Sequence, residues 1–105
     1  MNEHDRRIAL ELKQRLSQVT PLLDLRVFGS RARGDADEYS DMDVFVEIEY
    51  LTKDLKEKIS EVTWEVGFKN EVVISTLIFT RDELENTPLR SSPIVQVINE
   101  EGVTV

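Results

Sequence analysis

Leu25-Arg26-Val27-Phe28-Gly29-Ser30-Arg31-Ala32-Arg33-Gly34 and, after five intervening residues, Ser40-Asp41-Met42-Asp43-Val44-Phe45-Val46-Glu47-Ile48 form the stretch on which the reading of this chain turns. Residues 25–28 are β-branched and aromatic, the composition of a short strand, and Gly29-Ser30 ends it in a tight turn. Residues 41–48 read as a second strand with an acidic entrance. Strand side chains alternate between faces, so Asp41 and Asp43 project from the same one. Two adjacent carboxylates repel each other, which raises the pKa of one or recruits a cation. Hard divalent ions, Mg²⁺ or Mn²⁺, are held by such carboxylates together with phosphate oxygens. Gly29 lets a ligand approach the backbone, and Ser30 and a helical turn opened over 31–34 add donors for phosphate oxygens. Arg26, Arg31 and Arg33 fall within eight residues and are expected to form a cationic rim around a metal triphosphate.

Outward from this stretch, Ile8, Leu12, Leu16 and Val19 recur at helical spacing and predict an amphipathic helix that stops near Thr20-Pro21. Leu51, Leu55, Ile59, Val62 and Val66 predict a second long helix, N-capped by Thr52 and closed by Gly67. Trp64 and Phe68, four apart on that helix, are expected to pack. Residues 72–79 read as a third, largely buried strand. Thr80-Arg81-Asp82-Glu83 has the spacing of a capping box before a short helix, and Ser92-Pro93 opens a last helix that Gly102 closes. The order is that of a mixed α/β domain with helices against a small sheet.

Composition narrows the function classes. The chain of 105 residues carries 21 acidic and 13 basic side chains, a net charge of −8. A chain this long buries roughly two thirds of its unfolded surface, which predicts a single domain over residues 1–105. No apolar run reaches the ~18 residues of a membrane helix and no signal-peptide pattern opens the sequence, so a cytoplasmic location is expected. The absence of cysteine excludes disulfides and thiolate zinc sites, and His4 stands alone. The acidic balance disfavours long nucleic acids and anionic membranes as partners.

Each element of the central stretch has a plainer reading when taken alone. Asp-x-Asp occurs on solvated edge strands, Gly34-Asp35 fits an ordinary turn, and the acidic run from 35 to 49 fits a solvated face. Their order is what gives specificity: strand, Gly-Ser turn, Arg-Gly, then Ser-Asp-x-Asp on the next strand.

In that order the residues resemble the minimal nucleotidyltransferases of the DNA polymerase β-like superfamily, over most of the chain. The resemblance implies a small mixed sheet flanked by helices, an NTP such as ATP at Gly29 and Ser30, Asp41 and Asp43 as ligands for Mg²⁺ or Mn²⁺, and Ser40 and Arg33 beside the nucleotide. It also implies a partner. Stand-alone proteins of this kind pair as antitoxins with HEPN-domain RNase toxins, and some transfer AMP to a toxin tyrosine.

One departure stands out. The superfamily places a third carboxylate, metal ligand and general base, on the next core strand. Here Glu71-Val72-Val73-Ile74-Ser75-Thr76 has none inside the strand, and Val73 or Ser75 takes that position. Glu71 at the strand's end and Glu47 beyond Asp43 are the remaining candidates. General-base help is worth a factor of ~10²–10⁴, so the alternative is an antitoxin that neutralises its toxin by binding alone. Either way a homo- or hetero-oligomer is expected.

Overall fold

The computed structural model describes all 105 residues. Helix α1 (Glu3–Ser17) starts where the Asn2 side chain accepts a hydrogen bond from the Asp5 amide at 2.7 Å, and it buries Ile8, Ala9, Leu12 and Leu16. It ends two residues before Val19, which packs half-buried against the core from the following turn. Strand β1 (Asp24–Phe28), the single turn α2 (Ser30–Arg33) and strand β2 (Met42–Ile48) follow. The long α3 (Lys53–Lys69) leads to β3 (Ile74–Thr80), α4 (Arg81–Asn86), a 3₁₀ turn (Pro88–Ser91), α5 (Pro93–Glu101) and a two-residue β4 (Val103–Thr104).

The capping signals operate as expected. Thr52 Oγ1 accepts from the Leu55 amide at 3.1 Å, and Thr80 and Glu83 form the reciprocal capping box. Ser92 caps α5 with Pro93 in its first turn. Gly67 does not end α3, which runs on to Lys69. A Cβ at Gly67 would meet the Val72 carbonyl oxygen at 2.6 Å, so the glycine serves close approach of the chain entering β3.

The sheet has the order β3-β2-β1-β4, with β2 and β3 parallel and the other pairs antiparallel. A parallel pair needs a crossover, and α3 supplies it. On one face Leu25, Val27, Met42, Val44, Val46 and Ile48 bury against α1 and α3 with Ile59, Val62 and Val66. On the other face Phe28, Phe45 and Ile98 of α5 form a smaller cluster, joined by Leu77, Phe79 and Leu84. Truncating a fully buried aliphatic side chain costs about 2–5 kcal/mol, so α1 and α3 are fixed to the sheet by their apolar stripes. The mixed α/β architecture agrees with the sequence reading, but β3 is not the largely buried strand expected: it is the edge of the sheet and none of its residues is fully buried. The short β4 lies outside that reading: two residues after Gly102 carry no periodicity and are defined only by pairing with Arg26 and Val27.

Trp64 and Phe68 do not pack into the core. Their rings stack on each other with centroids 5.1 Å apart, and they are 66% and 73% exposed. No helix is long and apolar enough to cross a membrane.

Candidate active site

Asp43 lies on the sheet face opposite the main core, in register with Phe28 of β1 on one side and Ser75 of β3 on the other. Phe28 is the residue before the Gly29 turn, so the antiparallel β1–β2 pairing carries Asp43 to the start of that turn. Gly29 has φ +76°, ψ −156°, a region open essentially only to glycine. A Cβ built there would stand 2.5 Å from Asp43 Oδ2. The carboxylate thus lies directly over the glycine, in space that any other residue would fill.

From Gly29 the chain makes one helical turn, with Arg33 N and Gly34 N donating to the Gly29 and Ser30 carbonyls at 3.1 and 3.0 Å. The first amides of such a turn have no partner within it. Gly34 closes it in the left-handed conformation.

Asp41, two residues before Asp43, is exposed at the entrance of β2. The Asp43 carboxyl is pushed above the usual aspartate range, first by burial and then by the Asp41 charge, while Arg33 pulls it back. That combination places Asp41, Asp43 and Arg33 in one electrostatic neighbourhood. Arg33 is held charged by hydrogen bonds to Asp35 and Glu101, both at 3.2 Å.

The donor set suits a hard cation. Two neighbouring carboxylates that repel each other beside the Gly29 turn match how Mg²⁺ binds, through one or two carboxylates plus phosphate oxygens. No cluster of three or more potential metal-ligating side chains exists. Register explains why: Ser75 is the β3 residue opposite Asp43. Glu71 lies outside β3, exposed at φ +57° in the preceding turn. Glu47 is at the far end of β2, 3.6 Å from Arg81.

Of the expected cationic rim only Arg33 acts on Asp43, and it is itself paired with Asp35 and Glu101. Arg26 pairs with Asp24 at 2.8 Å. Arg31 is buried beneath the turn, donating to Ser40 O and to Asp5 Oδ1. The Ser40 hydroxyl donates to Asp37 Oδ1 and accepts from the Asp37 amide, both at 3.2 Å, which folds the loop ahead of Asp41. Two clefts, of about 560 and 580 Å³, lie behind α2 and alongside β3, and neither is lined by Asp41 or Asp43. Asp41 is exposed and Asp43 half-buried.

Residues 6–102 match the family model of the nucleotidyltransferase domain. The chain belongs to that family. A protein of Methanocaldococcus jannaschii named "Putative protein adenylyltransferase" is 33% identical over 94 residues, covering 82% of this chain and 89% of the relative. Among solved structures, one described as a "putative minimal nucleotidyltransferase" superposes with a TM-score of 0.68 at 20% identity, over 98% of this chain and 94% of its own. A toxin-antitoxin structure with AMP-PNP superposes with a TM-score of 0.61 at 17% identity, over 98% and 72%. At those identities the structures establish the shared fold.

The sequence reading missed Asp5. Its signal was present only as an acidic residue on the buried stripe side of α1, three residues before Ile8, where a carboxylate needs a partner.

Proposed function

We propose that this nucleotidyltransferase moves AMP from ATP to a hydroxyl on a partner protein, a HEPN-domain toxin, and thereby neutralises it. The observation that carries the proposal is the Asp43 carboxylate seated over Gly29, with Asp41 beside it on the same strand. The adenylyltransferase name of the M. jannaschii relative supports the reaction class, and the toxin-antitoxin neighbour with AMP-PNP supports the partner and nucleotide.

Asp41 and Asp43 would hold Mg²⁺ or Mn²⁺, which supplies charge neutralisation at the phosphates and lowers the pKa of an attacking hydroxyl. Gly29 leaves room for the phosphates against the backbone, and Ser30 and the first amides of α2 donate to their oxygens. Arg33, exposed at the end of the turn, stabilises negative charge that develops there. The toxin hydroxyl oxygen bonds to the α-phosphorus, the bond from that phosphorus to the bridging oxygen breaks, and pyrophosphate leaves. The hydroxyl proton passes to solvent, because β3 offers Ser75 in place of a carboxylate base.

Incubation of α-labelled ATP, Mg²⁺ and the toxin should label the toxin with the wild-type chain. Asp41→Asn and Asp43→Asn should abolish the label while circular dichroism stays native. Unchanged labelling with either variant contradicts the assignment.

A second reading, neutralisation by binding alone, is favoured by Ser75 at the third-carboxylate position and by the stacked, exposed Trp64 and Phe68 beside Val73, itself 66% exposed. Full inhibition of the toxin's RNase by an Asp41→Asn/Asp43→Asn double variant would decide for it.

A further inference from the structure

Arg31 has the side chain that sequence alone would place on the ligand, and the structure turns it inward. The side chain is 8% exposed and its partner Asp5 3%. Its Nε and one terminal nitrogen both donate to the Ser40 carbonyl, at 2.9 and 2.7 Å, and that nitrogen also reaches Glu38 O at 3.4 Å. The other terminal nitrogen donates to Asp5 Oδ1 at 2.6 Å.

Burying a charged pair costs desolvation that apolar side chains of similar volume would avoid. Stability alone therefore gives a poor reason for it; specification of geometry gives a better one. The Ser40 carbonyl belongs to the peptide plane whose nitrogen is that of Asp41. A planar guanidinium gripping that oxygen with two donors fixes the plane's direction, and a lysine ammonium provides no such fork. Arg31 also follows Ser30 in α2, so one side chain ties the Gly29-Ser30 turn to the entrance of the acidic strand. The intervening loop is held by little else: residues 33–35 and 37–39 are exposed, the side-chain bonds among Asp37, Tyr39 and Ser40 are local, and the one remote tie besides Arg31 is the exposed Arg33–Glu101 pair at the loop's start.

We infer that Arg31, oriented by Asp5 of α1, is a positioning residue that sets Asp41 beside Asp43 and so shapes the cation site. The inference rests on the reading of Asp41 and Asp43 as metal ligands. Residues that orient a metal's ligands typically change affinity 10–100-fold when replaced.

The test uses the full chain with Mn²⁺ alone, titrated by electron paramagnetic resonance, together with amide hydrogen exchange at Ser40 in metal-free protein. Arg31→Lys keeps the charge and loses the fork. It should weaken Mn²⁺ binding by about 10–100-fold and accelerate exchange of the Ser40 amide, which donates to Asp37 O at 3.2 Å. Ile59→Val, a core change away from the loop, should lower the melting temperature and leave both readouts at wild-type values. Asp5→Asn, which keeps the acceptor oxygen, should shift both readouts in the same direction by less, and it carries the test where Arg31→Lys fails to fold. Wild-type protein that binds no Mn²⁺ would refute the metal reading and the positioning role with it. Wild-type protein that binds, with folded Arg31→Lys or Asp5→Asn variants unchanged in both readouts, would refute the positioning role alone.

Discussion

Gly29 and Asp43 occupy one space: a β-carbon on the glycine would stand 2.5 Å from the aspartate's Oδ2. The two residues come from different strands and meet because Phe28 and Asp43 are cross-strand partners. Gly29→Ala should therefore act twice. The backbone at φ +76° is strained for alanine, costing about 1–3 kcal/mol, and the methyl displaces the carboxylate. Thermal denaturation should show the stability loss, and Mn²⁺ titration at a temperature where the variant is folded should show weaker binding. An alanine variant as stable and as tightly binding as the wild type contradicts the geometry.

Asp43 gives a pH dependence whose sign follows from its raised pKa, caused first by burial and then by Asp41. The folded state binds that proton more tightly than the unfolded chain, whose aspartates titrate near ~3.9. Ionised Asp43 thus costs stability above its folded pKa, and the cost disappears as pH falls through that value. Asp43→Asn should melt higher than wild type at pH 7 in chelator, and the difference should shrink on acidification. A lower melting temperature for the variant at pH 7 contradicts this account. Divalent binding should weaken on acidification at a higher pH than an ordinary aspartate site, because proton and cation compete for one carboxylate.

Ser75 stands opposite Asp43 on β3. If a missing base limits transfer, Ser75→Asp should raise the rate of toxin labelling, by up to the ~10²–10⁴ that general-base catalysis supplies. The strand is exposed at this position, so the new carboxylate is not forced into the core. A single-turnover assay reads the outcome. No increase, with the fold and Mn²⁺ binding intact, would show that proton removal does not limit the reaction.

Trp64 and Phe68 contribute little to the core, so Trp64→Ala with Phe68→Ala should change stability by about 1 kcal/mol or less. Under the binding reading the same pair should weaken the toxin complex by ~10-fold or more, as buried aromatic anchors do. Calorimetric titration of the toxin measures it. An unchanged dissociation constant removes this face from the interface.

Much of the molecule was legible before any coordinates. The stripes of α1 and α3, the three longer strands and the caps at Thr52, Thr80 and Ser92 are local patterns, and local patterns survive into the fold. What escaped depends on contacts remote in sequence. Strand β4 exists only through its pairing with β1, and Gly67 reads as a helix terminator until Val72 is seen packed on it. Trp64 and Phe68 have core spacing, yet the sheet passes beneath the other face of α3. Arg31 misled for a physical reason: charge predicts exposure, and the buried Asp5 that reverses this lies 26 residues away. The choice between Val73 and Ser75 was a matter of register, which the parallel pairing of β2 and β3 resolves.

The central claim is that the Gly29-Ser30 turn and the Asp41-Asp43 strand form one nucleotide-metal site. Titration of ¹⁵N-labelled protein with Mn²⁺-ATP, followed by amide line broadening, tests it most directly. The predicted result is broadening centred on Gly29, Ser30, Asp41 and Asp43, lost in Asp41→Asn/Asp43→Asn. Broadening centred instead on the cleft beside β3, or none at saturating Mn²⁺-ATP, would contradict it.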